Sequence, residues 1–335
     1  MKVLFIGGTG IISEAVSRMA ADKGIDLYLL NRGTRRDLVP NGVKYINADI
    51  RDSRTAALAL KDYEFDVVVD WIAFTPEHIM TDISLFNGKV GQYIFISSAS
   101  AYKKPHCDYP IKESTPLANP YWQYSRDKIA CEELLMNEYR SSGFPITIVR
   151  PSLTYGRTMI PAALNSWQHP WSIVDRMRRG KKIIVHGDGT SLWTVTHNTD
   201  FSKGFLGLLG NTKAVGHAFH ITTDEVLTWD MIYEMIGDAA GVKPDIIHIS
   251  SDFITAVSPE HTGTLLGDKA VSAVFDNSKI KSFVPGFYAG IPFSEGIRES
   301  IEWFEAHPGY CTVDKEWDSQ MDRIIWAYEI ALKTI

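Results

Sequence analysis

Val3-Leu4-Phe5-Ile6-Gly7-Gly8-Thr9-Gly10-Ile11-Ile12-Ser13 decides how the rest of the chain is read. Four apolar residues in a row suit a strand buried on both faces, and the glycines that follow suit a tight turn. From residue 11 to residue 22 apolar side chains recur at helical spacing, and Gly24 stops the run. A glycine turn placed between a strand and a helix lets the backbone approach a pyrophosphate, whose charge the helix N-terminus stabilises. Gly7, Thr9, Gly10, Ile11 and Ile12 are therefore candidate dinucleotide contacts. Ser13 stands where a small residue lets helix and strand pack closely.

Outward from this unit, strand-like runs recur at 27–30, 45–46, 67–69, 93–96 and 146–149, with helical or polar stretches between them. Such alternation predicts an α/β fold with a doubly wound parallel sheet of the Rossmann kind. Past Arg150-Pro151 the regularity weakens, with Pro161, Pro170, Trp167, Trp171 and Trp193 among loops and a short basic helix at 175–179. The expected division is a dinucleotide domain over residues 1–157 and a smaller mixed substrate lobe over 158–335, with a return to the sheet near 190–225. A strand is expected at 218–222 and helices at 229–240, 294–304 and 316–333.

Composition narrows the function classes. The 335 residues carry a formal net charge of −6 with 22% charged residues, whereas a duplex-binding domain usually has a basic excess. Nucleic acid is not an expected partner. Apolar runs stop well short of the roughly 20 residues that span a bilayer, and the amino terminus passes straight from Met1-Lys2 into a strand, so neither a membrane span nor a signal peptide is expected. Cys107, Cys131 and Cys311 show no paired spacing, which fits a reducing, cytoplasmic compartment. His106, His169, His186 and His197 lack metal-like i, i+4 spacing, and no metal is expected.

After the second strand a dinucleotide site usually places an acid for the ribose 2′-hydroxyl, or an arginine for a 2′-phosphate. Asn31 and Arg32 stand there, with Arg35 and Arg36 close behind. This favours NADP, with NAD still possible because the basic residues also suit a solvated loop. Further on, Tyr124 and Lys128 open a strongly helical segment, and i, i+4 spacing puts them on one face. An ammonium beside a phenol favours phenolate, which suits a proton-transfer group.

The glycine turn, the serine-ended strand Tyr93-Ile-Phe-Ile-Ser-Ser98, the Tyr124/Lys128 pair and Arg150-Pro-Ser-Leu-Thr-Tyr-Gly156 occur in the order of extended short-chain dehydrogenase/reductases. The chain resembles their NAD(P)-dependent epimerase/dehydratase branch, and the likeness continues through Gly187-Asp-Gly189, 195–200, Thr228-Trp229, Asp276/Ser278-Lys279 and Glu295-Gly296. The resemblance implies a triad in which Tyr124 is the acid/base, Lys128 binds the nicotinamide ribose and Ser98 orients the reacting group, with Ser97 and Ser100 as alternatives for the serine. By the same matching, Asp49 and Ile50 contact adenine, Ala73 lies in the loop over the cofactor, and Pro151 and Leu153 also meet the cofactor. A homodimer through the Tyr124 helix and the helix at 77–86 is implied too.

Departures count as much. Related 4,6-dehydratases carry an Asp-Glu pair beside the catalytic hydroxyl, and here that place reads Ala99-Ser100. Sugar-nucleotide relatives tend to place an Arg after Gly-Asp-Gly, and here Ser191-Leu192-Trp193 follows. Ser100 and Trp193 are thus candidate substrate contacts of a carbohydrate-like small molecule. The expected activity is NAD(P)-dependent epimerisation or oxidoreduction at a hydroxyl or keto group of a sugar or sugar derivative. An NADPH-dependent ketone reductase acting on a non-sugar is the alternative among enzymes. A non-catalytic cofactor-sensing or RNA-associated protein is the alternative of another class, since relatives with a similar Asn-Arg-Gly segment have left catalysis.

Overall fold

A computed structural model describes residues 1–334. The first half alternates β1 (Lys2–Ile6), α1 (Ile11–Asp22), β2 (Asp26–Asn31), β3 (Lys44–Asn47), α2 (Ser53–Leu60), β4 (Val67–Asp70), α3 (Pro76–Phe86), β5 (Gln92–Ile96), α4 (Gln123–Ser142) and β6 (Ile146–Pro151). Short strands and helices follow: β7 (Leu153–Tyr155), α5 (Ser172–Arg178), β8 (Lys182–His186), β9 (Leu192–Trp193), β10 (Val195–His197), α6 (Asn198–Leu208), β11 (Ala218–Ile221), β12 (Leu227–Thr228), α7 (Trp229–Ala239) and β13 (Asp245–Ile249). Helices Phe293–Ala306 and Lys315–Lys333 lie near the end.

Seven strands form one parallel sheet in the order β11-β6-β5-β4-β1-β2-β3. The order reverses between β1 and β4, and that switch point opens a crevice at the strands' carboxyl ends. Both faces are covered, which explains the unbroken apolar strands. Val3 and Phe5 pack with Val16, Phe201 and Phe205 under α1 and α6. Leu4 and Ile6 pack with Ile79, Cys131 and Leu135 under α3 and α4. A third cluster, with Trp193, Trp229, Tyr233 and Trp317, forms the core of the second lobe. The parallel pair β8/β13, outside the main sheet, was not expected from the sequence.

One polar knot ties α4 to the sheet. Arg150 at the end of β6 donates to Glu132 of α4 through Nε at 2.9 Å and Nη2 at 2.5 Å, and the Ser97 hydroxyl donates to the same carboxylate at 2.5 Å. Both charged side chains are nearly dry, at 6% and 4% exposure. Arg150→Ala leaves the buried Glu132 charge with the Ser97 hydroxyl but without its cation, and the expected loss is about 3–5 kcal/mol of unfolding free energy, read as a lower urea midpoint. Arg150→Met with Glu132→Gln should recover much of it.

Candidate active site

At the switch point lies a cavity of about 720 Å³, walled by the first glycine turn, the ends of β2, β4, β5 and β6, and the start of α4. Gly7 and Gly8 have φ of 95° and 106°, conformations that favour glycine. A Cβ on Gly8 would also fall 2.7 Å from the Leu29 side chain. Gly10 caps α1 without any side chain, so no side chain covers the first turn of the helix where Ile11, Ile12 and Ser13 line the cavity. The Ser17 hydroxyl donates to the Gly8 carbonyl at 2.9 Å and the Gly10 amide donates to Ser13 Oγ at 2.9 Å, which fixes the turn from behind. Such a cradle fits a dinucleotide's pyrophosphate.

At one end of the cavity stand Asn31, Arg32, Arg35, Asp49, Ile50 and Arg51. Arg35 Nη1 donates to the Thr9 carbonyl at 3.3 Å, and Arg51 donates to the Ile72 carbonyl. No carboxylate caps β2 here, since Asn31 ends the strand.

At the other end Tyr124 and Lys128 share one face of α4. Lys128 is fully buried, and its Nζ donates to the carbonyls of Ala73 at 2.6 Å and Ile96 at 2.7 Å. Burial pulls its pKa down to about 8, against attraction from neighbours that include Asp70 and Glu132. Ser98 stands beside the Tyr124 phenol on the cavity wall. Burial raises the phenol above its usual range, the nearby Ser98 hydroxyl works against that, and the Asp268 charge adds to it. From Ser98 a chain of hydroxyls runs inward, Ser98 Oγ to Ser100 Oγ at 2.9 Å and Ser100 Oγ to Ser125 Oγ at 2.7 Å.

Residues 3–222 match the NAD dependent epimerase/dehydratase family. The chain belongs to that family. Its members are enzymes of the extended short-chain dehydrogenase/reductase type. The chain is 29% identical to a UDP-glucose 4-epimerase of Lactobacillus helveticus over 337 residues, covering 92% of this chain and 99% of that one. It is 28% identical over 265 residues to a chloroplast stem-loop binding protein of 41 kDa from Arabidopsis thaliana, covering 74% of this chain and 65% of that relative's length. Among solved structures, the dTDP-glucose 4,6-dehydratase of Bacillus anthracis in complex with NAD superposes with a TM-score of 0.74 at 18% identity, over 92% of this chain and 98% of that one.

Within this family member, Gly7, Thr9, Gly10, Ile11, Ile12, Asn31, Arg32, Asp49, Ile50, Ser98, Ser100, Tyr124, Lys128, Pro151 and Leu153 all line the one cavity. Three expected residues do not. Trp193 is 1% exposed and packs on Trp229 at 5.3 Å between ring centroids, because β9 turns it into the second core. Arg36 lies over the Tyr45 ring at 5.2 Å, and Arg35 takes the place on the wall. Ala73 is wholly buried and serves through its carbonyl. Ser97, one of the two alternative serines, also lines the cavity, but its hydroxyl is bonded to Glu132.

The sequence reading missed Arg51, Phe74, Trp122, Asp268 and Lys269, which also line the cavity. Arg51 directly follows Asp49-Ile50, so its place was readable. Asp268 and Lys269 come from a π-helical turn, Leu265–Lys269, far along the chain, and no motif marks them.

Lys128 links stability to pH. Below about 8 the ammonium is charged in folded and unfolded chains alike, and the folded state bears the full burial penalty. Between about 8 and the ordinary 10.5 the unfolded chain holds more protons, so stability rises with pH across that window. Lys128→Met should abolish this rise. The stability of the variant should be flat over this window where that of the wild type climbs, measured by denaturant titration from pH 6 to 11.

Proposed function

We propose that this chain is an NADP(H)-using oxidoreductase or epimerase acting on a hydroxyl or keto group of a sugar or sugar derivative. The observation that carries this reading is the Tyr124 phenol, set beside Ser98 and one helical turn from buried Lys128, on the wall of the cavity that holds the glycine turn. Gly7, Thr9, Gly10, Ile11 and Ile12 would hold the pyrophosphate, Asp49 and Ile50 the adenine, Lys128 the nicotinamide ribose, and Pro151 and Leu153 the nicotinamide. When bound, the nicotinamide supplies hydride exchange and a positive ring.

Tyr124 holds or returns the proton at its hydroxyl oxygen while Ser98 orients the substrate oxygen. With the phenol pKa raised by burial, the resting group is a proton donor. The Lys128 ammonium, with three donors and two of them on backbone carbonyls, keeps positive charge under the phenol and lowers the cost of phenolate. Phe74, Trp122 and Trp167 on the same wall offer aromatic faces to a ring substrate.

Arg32, Arg35 and Arg51 around a β2 that ends in Asn31 rather than a carboxylate support NADP. Arg32→Ala with Arg51→Ala should weaken NADPH binding at least tenfold more than NADH binding, measured by fluorescence titration; equal losses for the two would argue for NAD. A homodimer through α3 and α4 belongs to the same reading, and α3 leaves Met80 exposed on that side. The likeness to a stem-loop binding protein raises RNA association as a second property, but a net charge of −6 offers little to a phosphate backbone.

A panel of keto sugars offered with NADPH tests the activity. Net loss of the reduced-nicotinamide absorbance means reduction, and isomer exchange without net loss means epimerisation. Tyr124→Phe should lower turnover by about 10²–10⁴-fold with cofactor affinity unchanged. A variant that keeps full activity overturns the role given to Tyr124.

A further inference from the structure

Two buried carboxyl groups lie behind the catalytic lysine. Asp70 ends β4 and Asp82 sits in α3, and neither has any solvent exposure. Asp70 Oδ1 accepts the amides of Ile72 at 2.5 Å and Ala73 at 2.8 Å. Asp82 Oδ2 accepts the Tyr93 hydroxyl at 2.6 Å. No N–H or hydroxyl of the described residues reaches the remaining oxygens, Asp70 Oδ2 and Asp82 Oδ1. Asp70, two residues after Val68, leaves β4 on the face that Val68 and Tyr93 present to α3, the face on which Asp82 meets Tyr93, so the two orphaned oxygens belong to neighbouring acids. Carboxylate oxygens bond in a dry site only when one of them carries a proton.

We propose that Asp82 is a neutral acid donating its proton to the Asp70 carboxylate, and that this pair is a positioning element for Lys128. The acid holds Asp70 in place, and Asp70 shapes the turn at 71–74 through its two amide bonds. That turn presents the Ala73 carbonyl to Lys128 Nζ and sets Phe74 4.7 Å from the same ammonium. Burial first, and then the facing Asp70 charge, hold Asp82 well above the usual carboxylate range, which puts the proton on Asp82.

Electrostatics follow from the same arrangement. The groups acting on Lys128 are Asp70 from β4, Cys131 and Glu132 from its own helix, and Arg51 after β3. His78 on α3 also feels it. Asp70 and Glu132 favour the ammonium and Arg51 opposes it, so a pair holding one proton supplies one negative charge rather than two.

Infrared difference spectra of wild type against Asp82→Asn test the proton directly. The expected result is a protonated-carboxyl band at neutral pH that the variant lacks; its absence from the wild type overturns the proposal. The link to Lys128 rests on the function proposed above and is read from pH profiles. Asp82→Asn can still donate to Asp70 and accept from Tyr93, so its profile should match the wild type. Asp82→Leu leaves Asp70 Oδ2 unpaired and should lower kcat by about 10- to 100-fold with KM little changed. Asp70→Asn removes a charge that favours the ammonium, so the alkaline limb should move to lower pH. An unmoved limb in Asp70→Asn, or an Asp82→Asn profile as altered as that of Asp82→Leu, overturns the positioning role. If no sugar or carbonyl substrate turns over, the functional reading fails while the infrared result still decides the proton.

Discussion

The buried ammonium of Lys128 is the constraint around which the site is built. A cation that is fully out of water must be repaid with hydrogen bonds and nearby negative charge. The repayment here comes from the Ala73 carbonyl after β4, the Ile96 carbonyl at the end of β5, and the Asp70 and Glu132 charges. Each of those groups sits at a strand end or on α4, so satisfying the lysine also fixes where α4 lies against the sheet. Tyr124, one turn earlier on that helix, inherits its position from the same bonds.

Chain topology then does the rest. Reversal of strand order between β1 and β4 opens the crevice, and the loops after β1, β4 and β5 meet around it. The glycine turn and the Tyr124/Lys128 pair therefore line the same crevice. The polar knot of Arg150, Glu132 and Ser97 lies one turn further along the same face of α4. It also occupies the hydroxyl of the first serine after β5, whereas Ser98, one residue on, bonds only to Ser100 and lines the cavity with Tyr124.

The parts legible in the sequence were those with local physical signals. Doubly covered strands appear as apolar runs, and the Gly7–Ile12 turn and the i, i+4 pair need no partner from elsewhere in the chain. The helix expected at 11–22 has those bounds in the structure. What stayed illegible depends on long-range packing. A tryptophan has the same local signature whether it meets a ring substrate or another tryptophan, and Trp193 meets Trp229. The parallel pairing of β8 with β13 joins two distant runs. Arg35 and Arg36 differ only in which way a loop residue turns.

The substrate end shows how the departures from the family pattern fit together. Where 4,6-dehydratases carry two acids, Ala99-Ser100 leaves only hydroxyls, linked from Ser98 to Ser125. The structure brings one carboxyl group to that end, Asp268, whose Oδ2 lies 3.1 Å from Lys269 Nζ and whose Oδ1 lies 3.5 Å from Lys104 Nζ. Burial opposes ionisation there, but the two ammonium groups outweigh it and hold Asp268 below the usual carboxylate range. An acid held in its ionised form cannot protonate a leaving hydroxyl. It can accept hydrogen bonds, and its charge raises the Tyr124 pKa, which keeps the phenol loaded with its proton. Of these two groups the phenol is the one that carries a proton to give, which supports the proposed hydride exchange at a single carbon over loss of water from the neighbouring one.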